Sequence, residues 1–144
     1  MNYYPAVREM NGGKTLEDKL FTQSEVLSSN IIVFCRELKS RHVDSSTVHQ
    51  LRRSGTAVFA NVNESHGAQG RNDFVAKLHI ALKECKECDG WLKLLRNTQS
   101  ITQEEFRLLH TLCVNIYRIL SCSIKTAKSN SAKQKALSEC SLRK

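Results

Sequence analysis

Residues 50–95 read QLRRSGTAVFANVNESHGAQGRNDFVAKLHIALKECKECDGWLKLL, and their spacing decides the fold. Val48, Leu51, Gly55, Val58 and Val62 alternate steps of three and four, the rhythm of a helix that buries one stripe in a bundle. Gly55 lies on that stripe, although glycine costs a helix interior about 1 kcal/mol against alanine. Close approach of another helix accounts for it, and Ser54, Gly55 and Ala57 are expected where two backbones pass near each other. A loop from Ser65 to Arg71 carries Gly67 and Gly70, and a second amphipathic run follows. Asn72 is its expected cap, and Phe74, Leu78, Ala81, Leu82, Cys85, Leu92 and Leu95 form its core face.

Working outward, a helix is expected before this pair and another after it. The first starts near Thr15, where Thr15 and Asp18 make a capping box, and buries Leu20, Leu27, Ile31, Phe34, Cys35 and Leu38. Asp44, Ser45, Ser46 and Thr47 supply caps for the second. The last opens on the box Thr102 to Glu105, with Phe106, Leu109, Cys113, Ile116, Leu120 and Ile124 on its seam. From Ser129 the composition turns to Ser, Lys and Ala with few large apolar groups, and a disordered tail is expected over 129–144. Residues 1–14 are expected to be disordered as well, leaving 15–128 as one four-helix domain.

The totals agree with that reading. One Pro and six Gly in 144 residues leave little to interrupt long helices. The longest unbroken apolar run, Ile31 to Cys35, falls far short of the roughly 20 residues that span a bilayer. The N-terminus lacks the apolar core of a signal peptide, so six cysteines are expected as thiols in a reducing, cytoplasmic compartment. The net charge of +8 divides as +1 over residues 1–14, +2 over 15–124 and +5 over 125–144. A basic end attracts polyanions without sequence selectivity, and it also keeps a protein soluble.

Two stretches carry a resemblance. Arg53 to Glu64, RSGTAVFANVNE, is similar to the pattern RSGTSIGANVAE of the four helix bundle protein family, whose founding members are encoded in intervening sequences of bacterial 23S rRNA genes. Phe59 stands where that pattern has Gly, and Asn63 where it has Ala. From Asp73 the run DFVAKLHIALKEC resembles the family's DFISKLSIALKEA. The resemblance covers roughly Leu27 to Lys128 and implies an all-α, antiparallel up-down four-helix bundle. It also implies a closed homopentameric ring, since characterised members form five-subunit barrels. The accessory variability protein of diversity-generating retroelements shares the fold, so RNA or a reverse-transcriptase nucleoprotein is the partner it suggests. No catalytic motif comes with it.

Apolar residues left over from the seams point the same way. At about 100° per residue, Ile80, Trp91 and Leu94 lie on the far side of the third helix from Cys85. Leu108 and Ile119 lie similarly far from Cys113 on the fourth. A lone bundle needs one apolar stripe per helix, so these five residues are the expected subunit contact.

Candidate chemistry is sparse. Cys85-Lys-Glu-Cys88 falls in mid-helix, where it lacks the helix N-terminus and strand of a redox site, and thiols filling a seam explain it better. No metal or other cofactor is expected. Arg36 and His42 resemble the Arg-x4–6-His motif of HEPN ribonucleases, with His as acid or base, although both also suit a helix C-terminus. For nucleic acid, Arg52 and Arg53 flank the small-residue patch. Arg107, Arg118 and Lys125 align within about 20° along the fourth helix, and Lys128 extends the line. A row of cations can follow a phosphate backbone, whereas aromatic platforms for bases are scarce at 6%. The resulting expectation is a non-enzymatic, ring-forming, RNA-associated scaffold. Its alternatives are a purely protein-binding module and a ribonuclease using Arg36 and His42.

Overall fold

Thr15 opens the first helix, α1 (Leu16–Ser40), through the expected box: its hydroxyl accepts the Asp18 N–H and the Asp18 carboxylate accepts the Thr15 N–H. Asp44 caps α2 (Ser45–Ser65) by accepting the Thr47 N–H at 2.8 Å. Thr102 and Glu105 make a second reciprocal box ahead of α4 (Gln103–Ser141), with bonds of 2.8 and 3.1 Å. Each box satisfies two of the N–H groups that a helix start leaves unpaired. Thr102→Ala is expected to cost about 1 kcal/mol in a chemical denaturation curve.

The start of α3 (Arg71–Asn97) corrects the sequence expectation. Asn72 lies inside its first turn and does not cap it; Gly70 occupies the cap position, with no side-chain bond. The Asp73 carboxylate instead accepts the Gln69 N–H at 3.2 Å, which ties the preceding loop to the helix.

The computed structural model describes residues 15–141, and among these the four helices are joined by short turns with no strand. The expected disordered segment 1–14 lies outside the described residues, as do 142–144. Residues 129–141 were expected to be disordered, but α4 continues through them as helix to Ser141. Ala, Lys, Gln, Leu and Glu in that stretch are good helix formers, and extending an existing helix needs no new nucleus.

Each helix packs against two others, α1 on α2, α2 on α3, α3 on α4, and α4 back on α1. Cross-contacts fix the directions. Ser28 and Cys35 of α1 meet Gly55 and Val48 of α2, while Glu64 and Arg53 of α2 meet Lys77 and Glu84 of α3. Cys85 and Asp89 of α3 meet Cys113 and His110 of α4. Rising numbers on one helix face falling numbers on the next, so neighbours run antiparallel, up and down around a square. The predicted seams lie inside: Leu27, Ile31, Leu38, Leu51, Val58, Val62, Leu78, Leu92, Leu109 and Leu120 are all buried. No helix among the described residues is long and apolar enough to cross a membrane.

Gly55 sits where α2 passes close to Ile31 of α1. A Cβ there would lie 2.8 Å from Ile31 Cγ2 and 2.9 Å from Cγ1. The same approach lets Ser28 Oγ donate to the Gly55 carbonyl at 2.7 Å. Ser54 beside it is fully buried, and Ala57 is half-buried. Phe59, large where the resembling pattern has Gly, meets Phe21 of α1 edge to face at 5.3 Å.

Arg41 ends α1 and reaches Glu105 at the start of α4, with Glu37 on the same guanidinium. The bond from Arg41 is the main reason the Glu105 carboxyl is held below its usual 4.5. Its contribution is therefore complete above about pH 4.5, and it is lost as pH falls through the lower folded value. The melting temperature should drop on acidification below about pH 5, and less steeply in Glu105→Gln, where that carboxyl is absent.

Candidate nucleic-acid interface

The four cations expected along α4 are all exposed: Arg107, Arg118, Lys125 and Lys128. None of them forms an ion pair within the described residues. Their charges therefore face solvent unneutralised, unlike those of Arg41, Arg53, Lys77 and Lys93.

Contacts across the α3–α4 seam add a second row that sequence spacing missed. Lys86 Nζ lies 5.2 Å from the centroid of the Tyr117 ring, a cation–π contact from α3 to α4. Lys93 Nζ is 2.7 Å from Asp89, whose other oxygen lies 2.5 Å from His110 Nδ1 on α4. His110 stacks on Phe106 at 4.9 Å, and the Arg96 guanidinium covers that ring at 4.3 Å. Lys86 and Lys93 are exposed, and Arg96 is half-buried. On α4, Arg107, Arg118 and Lys125 lie within about 100° of the positions that touch α3. The α4 row and Lys86 of α3 thus border one seam, where the charge of Lys93 is compensated by Asp89, which also meets His110. The aromatic rings on this face are covered by side chains: Tyr117 by Lys86, Phe106 by Arg96 and His110. Such a surface suits phosphates and offers no open ring for a base.

Arg53 does not join it. The structure places Arg53 between α2 and α3, on Glu84 at 3.3 Å and on Glu87. The bond to Arg53 holds the Glu87 carboxyl below its usual value, with Trp91 Nε1 donating to the same carboxylate at 3.2 Å. Arg53 is a tie between helices, and its charge is already compensated. Arg52 is exposed and lines a separate cavity of about 570 Å³ with Lys39, His49 and Thr56. That corner belongs to α1 and α2, so Arg52 stands apart from the α4 row.

The expected subunit-contact residues separate into two groups. Ile80, Leu94 and Leu108 are 41%, 51% and 43% exposed, large apolar groups left in solvent. Trp91 and Ile119 are half-buried against the core. Ile80 and Leu94 flank the Arg53–Glu87 tie on α3, whereas Leu108 lies near Glu105 on the α1 side of α4. The two stripes therefore sit on different sides of the bundle, one toward α2 and one toward α1.

Arg36 and His42 are both exposed, and no hydrogen bond joins them among the described residues. His42 has φ of 59° just past the end of α1, where its N–H donates to the Lys39 carbonyl. Cys85, Cys88 and Cys113 are buried together, with Cys85 Sγ 3.3 Å from the Cys113 carbonyl. Contact with Cys113 and burial push the Cys85 thiol up, the opposite of what a reactive thiolate needs. Burial also pushes Cys35 up to about 11. Among the described residues no group of three or more His, Cys, Asp or Glu is placed to hold a metal ion. Cys85→Ala with Cys88→Ala is expected to lower stability by a few kcal/mol through cavities in the α3–α4 seam. Zinc bound stoichiometrically to the parent and lost from this variant would contradict the packing role.

Residues 17–122 match the family model described as 23S rRNA-intervening sequence protein. The chain is also similar to the solved structure of a protein with unknown function from the S23 ribosomal protein family of Bacteroides thetaiotaomicron. The two are 32% identical with a TM-score of 0.75, and the match covers 77% of this chain and 99% of that one. No curated protein matches the chain.

Proposed function

This chain belongs to the 23S rRNA-intervening sequence protein family, and from that membership we propose a non-enzymatic accessory protein that holds RNA by its phosphates. The observation that carries the proposal is the exposed, unpaired row Arg107, Arg118, Lys125 and Lys128, with Lys86 across the seam on α3. At about 1.5 Å per residue, Arg107 to Lys128 covers roughly 30 Å of helix, enough to lie along several consecutive phosphates. Binding of this kind is insensitive to base sequence and releases counterions, so it weakens steeply as salt rises. The covered aromatic rings support the same choice of backbone over base.

The working form in this proposal is a closed homo-oligomer, a pentamer by the family resemblance. Exposed Ile80, Leu94 and Leu108 support self-association, because burying two apolar stripes on different sides lets each subunit touch two others. Multiplying a modest basic face around a ring raises avidity without any new contact. The buried free thiols suit a reducing, cytoplasmic setting.

Light scattering on the parent and on Leu94→Glu tests the assembly. The parent should run as an oligomer and the variant as a helical monomer, since a carboxylate forced into an apolar contact is strongly unfavourable. A monomeric parent would remove the ring. RNA cleavage without added metal, abolished by His42→Ala, would replace the scaffold by the ribonuclease reading. Retention of a protein partner with no retention of RNA would replace it by a protein-binding module.

A further inference from the structure

The last core residue of α4 is Ile124, and from Lys128 to Ser141 every side chain is exposed, Leu137 at 69%. The family match stops at residue 122, so this stretch lies outside it. Residues 129–141 continue α4 for about 20 Å. A cavity of about 660 Å³ opens at their base, lined by Leu16, Ser65, Arg71, Phe74, Ala127 and Asn130. Among the described residues one side-chain hydrogen bond ties the stretch back, from Arg71 Nη1 to Gln134 Oε1 at 3.3 Å.

A helix that buries nothing draws its stability only from propagation and propensity, and lysines along it repel one another. Lys128 and Lys135 are seven residues apart and lie within about 20° of each other, about 60–100° round the helix from Arg118 and Lys125. Lys133 stands to one side, and Glu139 is the single carboxylate of the stretch among the described residues. Basic side chains of α4 therefore continue, without a break in the helix, onto a segment with no packing of its own, on either side of the line through Arg118 and Lys125. The spacing of Lys128 and Lys135, about 10 Å, equals about three phosphates of one strand along a duplex.

We propose that residues 129–141 are a phosphate-tracking arm, loosely helical when free and held helical by a nucleic-acid backbone that already lies on Arg107, Arg118 and Lys125. This rests on the reading of the α3–α4 face as an RNA site and adds a second part to that site. Charge complementarity names the occupant: the arm offers lysines, serines and no apolar stripe, so a polyanion fits and a hydrophobic groove does not.

The test uses the full chain and a variant carrying Lys133→Gln and Lys135→Gln, which keeps helix propensity and removes the arm's two charges while leaving Lys128 in place. The probes are a 20-nucleotide single-stranded RNA of mixed sequence, titrated at several salt concentrations, and poly-glutamate as a peptide polyanion. The variant should keep the parent's melting temperature, bind the RNA several-fold more weakly, and lose about 1.5 from the slope of log affinity against log salt. Amide exchange over residues 130–141 should slow when RNA is added to the parent. Equal RNA affinity and slope in parent and variant would overturn the arm while leaving the α3–α4 face intact. A parent that binds no RNA at low salt would overturn both. Tighter binding of poly-glutamate than of RNA would assign the arm to an acidic protein and overturn the nucleic-acid reading.

Discussion

Gly55→Leu is expected to lose about 3 kcal/mol or more of stability, a large share of the 5–15 kcal/mol that holds a typical domain together. Even the first added carbon would stand 2.8 Å from Ile31 Cγ2, and Ile31 is itself fully buried, so it has nowhere to move. Further carbons would push α1 and α2 apart. That would break the bond from Ser28 Oγ to the Gly55 carbonyl and leave a buried hydroxyl unpaired, itself costing about 1–3 kcal/mol. Gly55→Ala separates the two effects. Alanine gains about 1 kcal/mol of helix propensity, but the contact with Ile31 outweighs it and the variant should still be less stable than the parent. Adding Ile31→Ala to Gly55→Ala should cost less than the about 2–5 kcal/mol usual for such a truncation, because it also removes the Cγ1 and Cγ2 carbons that crowd the added methyl. Denaturant midpoints of the four proteins check all of this, and unchanged stability in Gly55→Leu would place Gly55 in solvent.

That crossing was legible in sequence because period and composition agree there. Val48, Leu51, Val58 and Val62 mark the stripe, and a glycine among them has one economical explanation. The boxes at Thr15 and Thr102 were legible too, since a capping hydroxyl and a carboxylate three residues apart act on their own backbone. The start of α3 was not: Asn72 is a fine cap by type, but Asp73 and the Gly67–Gly70 loop place the boundary two residues earlier. The tail misled for a related reason, since its composition describes what it can bury and says little about whether α4 runs on.

The candidate site was legible only along one helix. Arg107, Arg118 and Lys125 align by arithmetic within α4. Lys86 over Tyr117 and Lys93 beside the Asp89–His110 pair depend on the register between α3 and α4. Nothing in a single sequence sets that register to within one turn. Arg53 shows the converse case, a cation flagged by motif that the structure places on Glu84 and Glu87.

The second large effect concerns the α4 row. Arg107→Glu, Arg118→Glu and Lys125→Glu together should leave the fold intact, because all three side chains are exposed and unpaired. Their reversal turns three attractions into repulsions on the face that meets phosphate. RNA affinity at low salt is expected to fall about a hundredfold, and the salt slope to drop by about 2–3. Reversing Arg52 alone should matter far less, since it stands on the α1–α2 corner beside Lys39 and His49. An affinity unchanged by the triple reversal, with normal melting, would move the RNA site off this face.

The most direct measurement is a filter-binding titration of the full chain against two unrelated RNA sequences of equal length, from about 50 to 200 mM salt. Contact with several phosphates per site predicts equal affinities for the two sequences and a loss of at least tenfold across that range. Retention that ignores salt, strong preference for one sequence, or no retention at the lowest salt would contradict a phosphate-binding face on α3 and α4.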